Sequence, residues 1–180
     1  MSVTAGVRSD ATALATRTWG LALLRVTAAA VWFHEAWWKF PPRFDIFRSW
    51  VERPLEFPVF GPWNWFVETV VLPNFTVFAW LTYLTEAALA GFLAVGLLTR
   101  LWALVGVAQS LAIYWSASNF FVVGEEGQLA EWDFAYIMMI AIHATLALTA
   151  AGRHLGLDGV LRPHWERSRS RLARVARWFA

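Results

Sequence analysis

Arg25, Glu86, Gln109 and His143 are the side chains of this sequence best placed to do chemistry, because each lies well inside a long apolar stretch. A charged group in hydrocarbon is expensive and therefore rare, so it counts as a functional candidate wherever it occurs. Counting from the outer end of each stretch at about 1.5 Å per residue puts His143 and Glu86 roughly 17 Å deep, Gln109 roughly 20 Å and Arg25 roughly 22 Å. The arginine stem can reach along its helix, so all four groups are expected in one layer. Arg25 and Glu86 are most simply an ion pair, since either alone would neutralise or draw in water. Gln109 and His143 would satisfy the remaining donors and acceptors. An imidazole near its ordinary pKa suits proton transfer. Two readings of the layer stand side by side: a network that only fixes helix register, or the lining of a pocket that binds a polar head group or relays protons. On the second, Glu86, His143 and Arg25 are the candidate catalytic groups.

His34 and Glu35 lie nearer the outer surface, roughly 8–9 Å deep by the same count, beside Trp37, Trp38 and Lys39. A quinone needs hydrogen bonds to its carbonyls, a proton route and flat apolar walls, which an aromatic slot near one membrane face provides. Gln109, His34, Glu35 and Trp38 are accordingly the candidate cofactor-binding residues. Haem between His34 and His143 is disfavoured, because their depths differ by about 9 Å. Glu125, Glu126, Glu131 and Asp133 form an acidic loop that reads as solvated, and no metal site is expected. The absence of cysteine excludes disulfides, thiol relays and covalently attached c-type haem. Electron chemistry would therefore need a bound cofactor or a partner protein.

The elements that must carry these groups are four apolar spans over residues 18–40, 75–98, 101–123 and 132–151. Each is about as long as a helix crossing a ~30 Å hydrocarbon core. Charged residues make up 16% of the chain, against about 25% in soluble domains. The expected fold is all-α, a polytopic membrane four-helix bundle with no second domain. Many of the 13 Trp and 14 Phe cluster near predicted span ends, among them Trp32, Trp63, Trp80 and Trp115, where amphipathic rings favour the headgroup layer. Ala87–Gly91 and Gly106–Ser110 are small-residue pairs of the kind that let helices approach.

Domain boundaries follow: an N-terminal segment 1–17, the membrane domain 18–160 and a basic tail 161–180. The N-terminus does not read as a cleavable signal peptide. Arg8 and Arg17 before the first span, Arg100 between the second and third, and seven arginines from Arg153 to Arg177 place both termini in the cytoplasm. Lys39, Arg43, Arg48 and Arg53 in the first external loop oppose that orientation but are outweighed. Residues 41–74, cut by Pro41, Pro42, Pro54, Pro58, Pro62 and Pro73, are expected as short amphipathic segments on the outer surface, capping the spans. In the tail, Trp165, Leu172, Val175, Ala176 and Phe179 share one helical face among arginines. That pattern suits an interfacial helix on anionic lipid and not a nucleic-acid contact.

The same residues carry a resemblance. Leu24-Arg25, Phe33-His34 and Lys39-Phe40 in the first span, Glu86 followed by Gly91 and Gly96-Leu97-Leu98-Thr99-Arg100, and Gly152-Arg153 with Leu157-Asp158 resemble the DoxX family of four-helix prokaryotic membrane proteins, in its DoxD-like branch. The resemblance extends over residues 18–160. It implies a four-helix bundle in the cytoplasmic membrane and, in the DoxD branch, delivery of electrons from thiosulfate to quinone alongside a partner subunit. Glu35 stands where the first span of the family usually carries glycine, which makes the outer half of that helix bulkier and more polar.

The expected function is thus a membrane subunit of a quinone-linked oxidoreductase. The alternative is a non-catalytic subunit that stabilises a larger membrane complex, which so many aromatic side chains would suit. A transporter is disfavoured, since four helices leave little room for alternating access.

Overall fold

The computed structural model describes residues 3–41, 44–117 and 128–180, with side chains over 13–41, 44–116 and 134–180. Arg8, Arg43, the acidic residues 125–133 and the outer end of the third span thus lie partly or wholly outside the described residues. Every described element is helical, and no strand occurs among the described residues.

Helix α1 runs unbroken from Val3 to Trp38, well before the expected start at Thr18, and stops just short of Pro41-Pro42, which cannot continue it. The loop expected over 41–74 is largely helical. Helix α2, Phe44–Glu56, turns Phe47, Val51 and Pro54 inward at helical spacing. Helix α3, Gly61–Phe66, carries Pro62 in its first turn, where the missing amide proton costs nothing. A π turn over Val67–Val71 and a 3₁₀ turn over Leu72–Asn74 then accommodate Pro73. Helix α4, Phe75–Val95, follows directly. Among the described residues, the stretch Gly61–Val95 is the one helix long and apolar enough, by length and composition, to cross a membrane.

Helix α5, Thr99–Ala117, and helix α6, Gln128–Thr149, complete the long elements. Helix α1 packs along α4 and α6, and α5 packs along α4 and α6. Ala28, Ala29, Ala90 and Ala103 keep their backbones close around Trp32, Leu89, Leu93 and Leu146. Trp32 is fully buried, so it belongs to the core and not to an interfacial belt. Of the small residues, Gly106 lies against the His143 ring, whereas Gly91 faces open space.

The tail is two helices and not one. Helix α7, Leu157–Arg167, and helix α8, Arg171–Phe179, are separated at Ser168–Ser170, where the Ser170 hydroxyl accepts the Ala173 amide proton at 3.0 Å. Trp165 therefore does not continue the stripe formed by Leu172, Val175 and Phe179. At the opposite end, α2 and α3 cover the ends of the long helices through a second hydrophobic cluster that includes Phe47, Val67, Val71 and Phe75, with Trp63 and Phe66 of α3 packed against it.

Candidate functional site

The last turn of α1 and the residue just after it supply the centre of the site. Glu35 and Lys39 are four residues apart, the spacing at which helical side chains meet, and Lys39 Nζ lies 3.0 Å from Glu35 Oε2. The same ammonium lies 3.0 Å from Glu86 Oε2 on α4. Gln109 on α5 donates from Nε2 to Glu86 Oε1 at 3.2 Å. Trp38 Nε1 donates to Glu35 Oε2 at 3.1 Å, and the Tyr136 hydroxyl on α6 lies 3.5 Å from that oxygen. Glu35, Lys39 and Glu86 are all buried. Four helices thus converge on one cation held between two carboxylates. The ammonium also lies 4.2 Å from the centroid of the Trp38 ring, a favourable seat for a cation.

Glu86 therefore pairs with Lys39 and not, as expected, with Arg25. The Arg25 guanidinium donates to the carbonyls of Leu93 at 2.7 Å, Ala94 at 3.0 Å and Leu155 at 2.9 Å. It closes the C-terminal end of α4, about 10 Å along the helix from Glu86. His143 is elsewhere again. Its Nδ1 lies 2.7 Å from the Met139 carbonyl and its Nε2 lies 2.8 Å from Trp32 Nε1. A carbonyl can only accept and an indole N–H can only donate, so these partners assign the neutral tautomer with the proton on Nδ1. Both ring nitrogens are occupied and the ring is fully buried. The expected single layer is thus three separate polar clusters.

A cavity of about 560 Å³ opens beside the Lys39 cluster, within the range of small-molecule sites. Glu35, Lys39, Gln109, Tyr136 and His34 supply its polar lining; Trp38, Phe47, Trp63, Phe66 and Phe75 are among its walls. Of the expected cofactor-binding residues, Gln109, His34, Glu35 and Trp38 all line it. None of the expected catalytic residues lines it: Glu86 contacts the lining residues Lys39 and Gln109 from behind, and His143 and Arg25 lie elsewhere. Sequence reasoning missed Lys39, which looked like a loop charge, and Tyr136. Among the described residues, no group of three or more His, Asp or Glu side chains is placed to hold a metal.

The roof of the cavity is held by Asn64. Its Nδ2 donates to the Pro54 carbonyl at 2.6 Å, and its Oδ1 accepts the Val59 amide at 3.2 Å. One side chain thereby ties the end of α2 to α3. Phe60 and Trp63 pack on Trp115 of α5, with ring centroids 5.0 and 5.3 Å away.

At the far end of the long helices, the residues of the GLLTR stretch and of Gly152–Asp158 meet. Asp158 accepts the amide protons of Leu98 at 2.7 Å and Thr99 at 2.9 Å, and its own amide donates to the Gly96 carbonyl at 2.8 Å. Gly96 adopts the left-handed conformation that ends α4, and a Cβ there would collide with the Arg25 guanidinium. A Cβ on Gly152 would likewise strike Thr99 and Asp158.

The family model described as TQO small subunit DoxD matches residues 57–177. The chain belongs to the DoxD family. Searches of curated proteins and of solved structures find no match. The part matched to DoxD contains Glu86, Gln109, Tyr136 and the Asp158 joint, while Glu35 and Lys39 lie outside it. DoxD is, by that description, a small subunit of TQO, a thiosulfate:quinone oxidoreductase.

Proposed function

We propose that this DoxD-family chain is the membrane subunit of a quinone-linked oxidoreductase and that the cavity under α2 and α3 is its quinone site. The observation that carries the reading is the buried Lys39–Glu35–Glu86–Gln109 cluster at one side of an aromatic-walled cavity. In this reading the four long helices form a four-helix bundle across the cytoplasmic membrane. The α2–α3 end faces outward and both termini face the cytoplasm, as the arginine distribution favours.

The residues present fit a quinone. Lys39, Gln109 and Tyr136 offer donors to a ring carbonyl, and the aromatic rings offer flat walls. A bound quinone supplies two-electron, two-proton chemistry. The protein holds the head group against the donors, excludes water with the α2–α3 roof, and keeps Glu35 and Glu86 as proton-carrying groups next to the ammonium. Thiosulfate or another reduced donor would deliver electrons through a partner subunit, as the small-subunit description of the family suggests.

The test is Glu86→Gln in the intact membrane complex. The exchange leaves Lys39 and Glu35 as a balanced pair, so the chain should accumulate normally. Donor-to-quinone turnover should fall by about 10²-fold, the scale of lost general acid–base assistance. Unchanged turnover would remove Glu86 from the chemistry. A second reading, a non-catalytic subunit of a larger complex, is favoured by the exposure of Phe33, Trp37 and Trp65. It predicts that Trp37→Ala or Trp65→Ala releases a partner while Glu86→Gln leaves activity intact.

A further inference from the structure

A second cavity, of about 530 Å³, lies at the opposite end of the molecule, where α8 folds back against α5 and α6. Leu104 of α5, Leu148 of α6, and Val175 and Trp178 of α8 supply apolar walls, and all four are more than half exposed. Arg100 stands at the side of this groove in the first turn of α5. Among the described residues, its Nε finds no hydrogen-bond partner and is buried. The surroundings do not neutralise it. Arg153 is close enough to Arg100 and to Arg162 for its charge to oppose each of theirs. Among the described residues, the two carboxylates that act on Arg153 are engaged elsewhere, Asp158 by the Leu98 and Thr99 amides and Glu166 by Arg162 Nε at 2.7 Å. Helix α8 adds Arg171, Arg174 and Arg177 around its apolar stripe.

We propose that the groove between α5, α6 and α8 binds an anionic phospholipid, with an acyl chain along Leu104, Leu148, Val175 and Trp178 and the phosphate on Arg100. The argument is charge complementarity: a guanidinium whose buried Nε lacks a partner, beside an apolar slot, suits an occupant that is anionic at one end and apolar along its length. Guanidinium matches phosphate in both geometry and charge. On the membrane placement proposed above, Leu104 and Leu148 already face acyl chains, and the last turn of α6 lies at the cytoplasmic leaflet, where anionic lipid resides. The lipid would pin α8 to the long helices, so the basic tail becomes a lipid-dependent clasp and not a free anchor. The site rests on the membrane reading but not on the quinone cavity.

The test uses the full chain reconstituted in vesicles of phosphatidylglycerol, phosphatidylcholine or their mixture, extracted in mild detergent and assayed for retained lipid by native mass spectrometry. Selective retention of one phosphatidylglycerol is expected. Arg100→Gln should lower that retention about tenfold or more, the scale of a charge-assisted contact, while Arg169→Gln outside the groove leaves it unchanged. Arg100→Lys should recover part of it, which guards against misfolding of the glutamine variant. Equal retention of the two lipids, an unaffected Arg100→Gln protein, or displacement of the lipid by inorganic phosphate would each overturn the proposal. A chain that stays in alkali-washed membranes yet retains no lipid selectively refutes the site alone. A chain that leaves with the wash refutes the membrane placement as well.

Discussion

One ammonium lies 3.0 Å from each of two carboxylates in the Lys39 cluster, and that stoichiometry decides how the three residues respond to substitution. Removing the Glu86 charge leaves a balanced pair. Removing the Lys39 charge leaves two buried carboxylates facing each other without a cation. Breaking a buried pair by deleting one partner costs about 3–5 kcal/mol. Lys39→Met should therefore lower the unfolding midpoint in detergent far more than Glu86→Gln, and Lys39→Met/Glu86→Gln should recover part of the loss. Equal losses in the two single variants would mean that the charges are not coupled as described. The importance of Lys39 was hard to see because depth counting measures position along a helix, not around it. Arg25 and Glu86 share a nominal layer, yet Arg25 bonds the carbonyls at the end of α4. The available signal was local: Glu35 and Lys39 stand four residues apart before a proline pair. For His143 the burial was legible, but its partners Trp32 and Met139 were not. A histidine with both nitrogens spoken for looks, in one dimension, the same as a proton relay.

At the scale of elements, the joint between α4, α5 and α7 shows what spacing reveals and what only topology supplies. Gly96 followed by Leu97-Leu98-Thr99 reads as a helix stop and restart, and the structure ends α4 and begins α5 there. That Asp158, about 60 residues later, provides the acceptors for the new helix could not be read from either segment alone. Asp158 is fully buried, so Asp158→Ala would strand two amide protons. With hydrogen bonds to a charged acceptor worth about 1.5–3 kcal/mol each, the expected loss is about 3 kcal/mol or more. Asp158→Asn keeps one good acceptor and should lose roughly half as much. Chemical denaturation of the two variants checks the order, and equal stability of Asp158→Ala and the parent would show that water replaces the carboxylate. The proline-cut segment 41–74 illustrates the converse. Its short amphipathic pieces were legible, but Asn64 bridging Pro54 and Val59 is what turns them into a roof over a cavity. In the tail, the single face expected from Trp165 to Phe179 takes no account of the capping ability of Ser170, which starts a new helix.

For the whole molecule, the distribution of charge and exposed apolar surface makes a prediction about orientation. Large apolar side chains stay exposed along every long helix, among them Leu23, Phe33, Val77, Leu84, Leu104 and Leu148, which suits hydrocarbon far better than water. The two ends of the molecule differ. The α7–α8 end concentrates Arg162, Arg167, Arg169, Arg171, Arg174 and Arg177 against Asp158 and Glu166, whereas α2 mixes Arg48 and Arg53 with Asp45, Glu52 and Glu56. Basic residues near the ends of spans are retained in the cytoplasm, while acidic ones contribute little to orientation, so the excess at the α7–α8 end should govern. The chain contains no cysteine, which makes the expectation directly measurable with single introduced thiols. Trp65→Cys, exposed on α3, should react with a membrane-impermeant maleimide in intact spheroplasts. Arg169→Cys, exposed between α7 and α8, should react only after the membrane is opened. The reverse pattern would invert the molecule and put the Lys39 cavity at the cytoplasmic face, where electrons would arrive from a soluble intracellular donor. Labelling of both sites in intact cells would separate the two ends from any common membrane and leave the exposed helix faces as a surface for a protein partner.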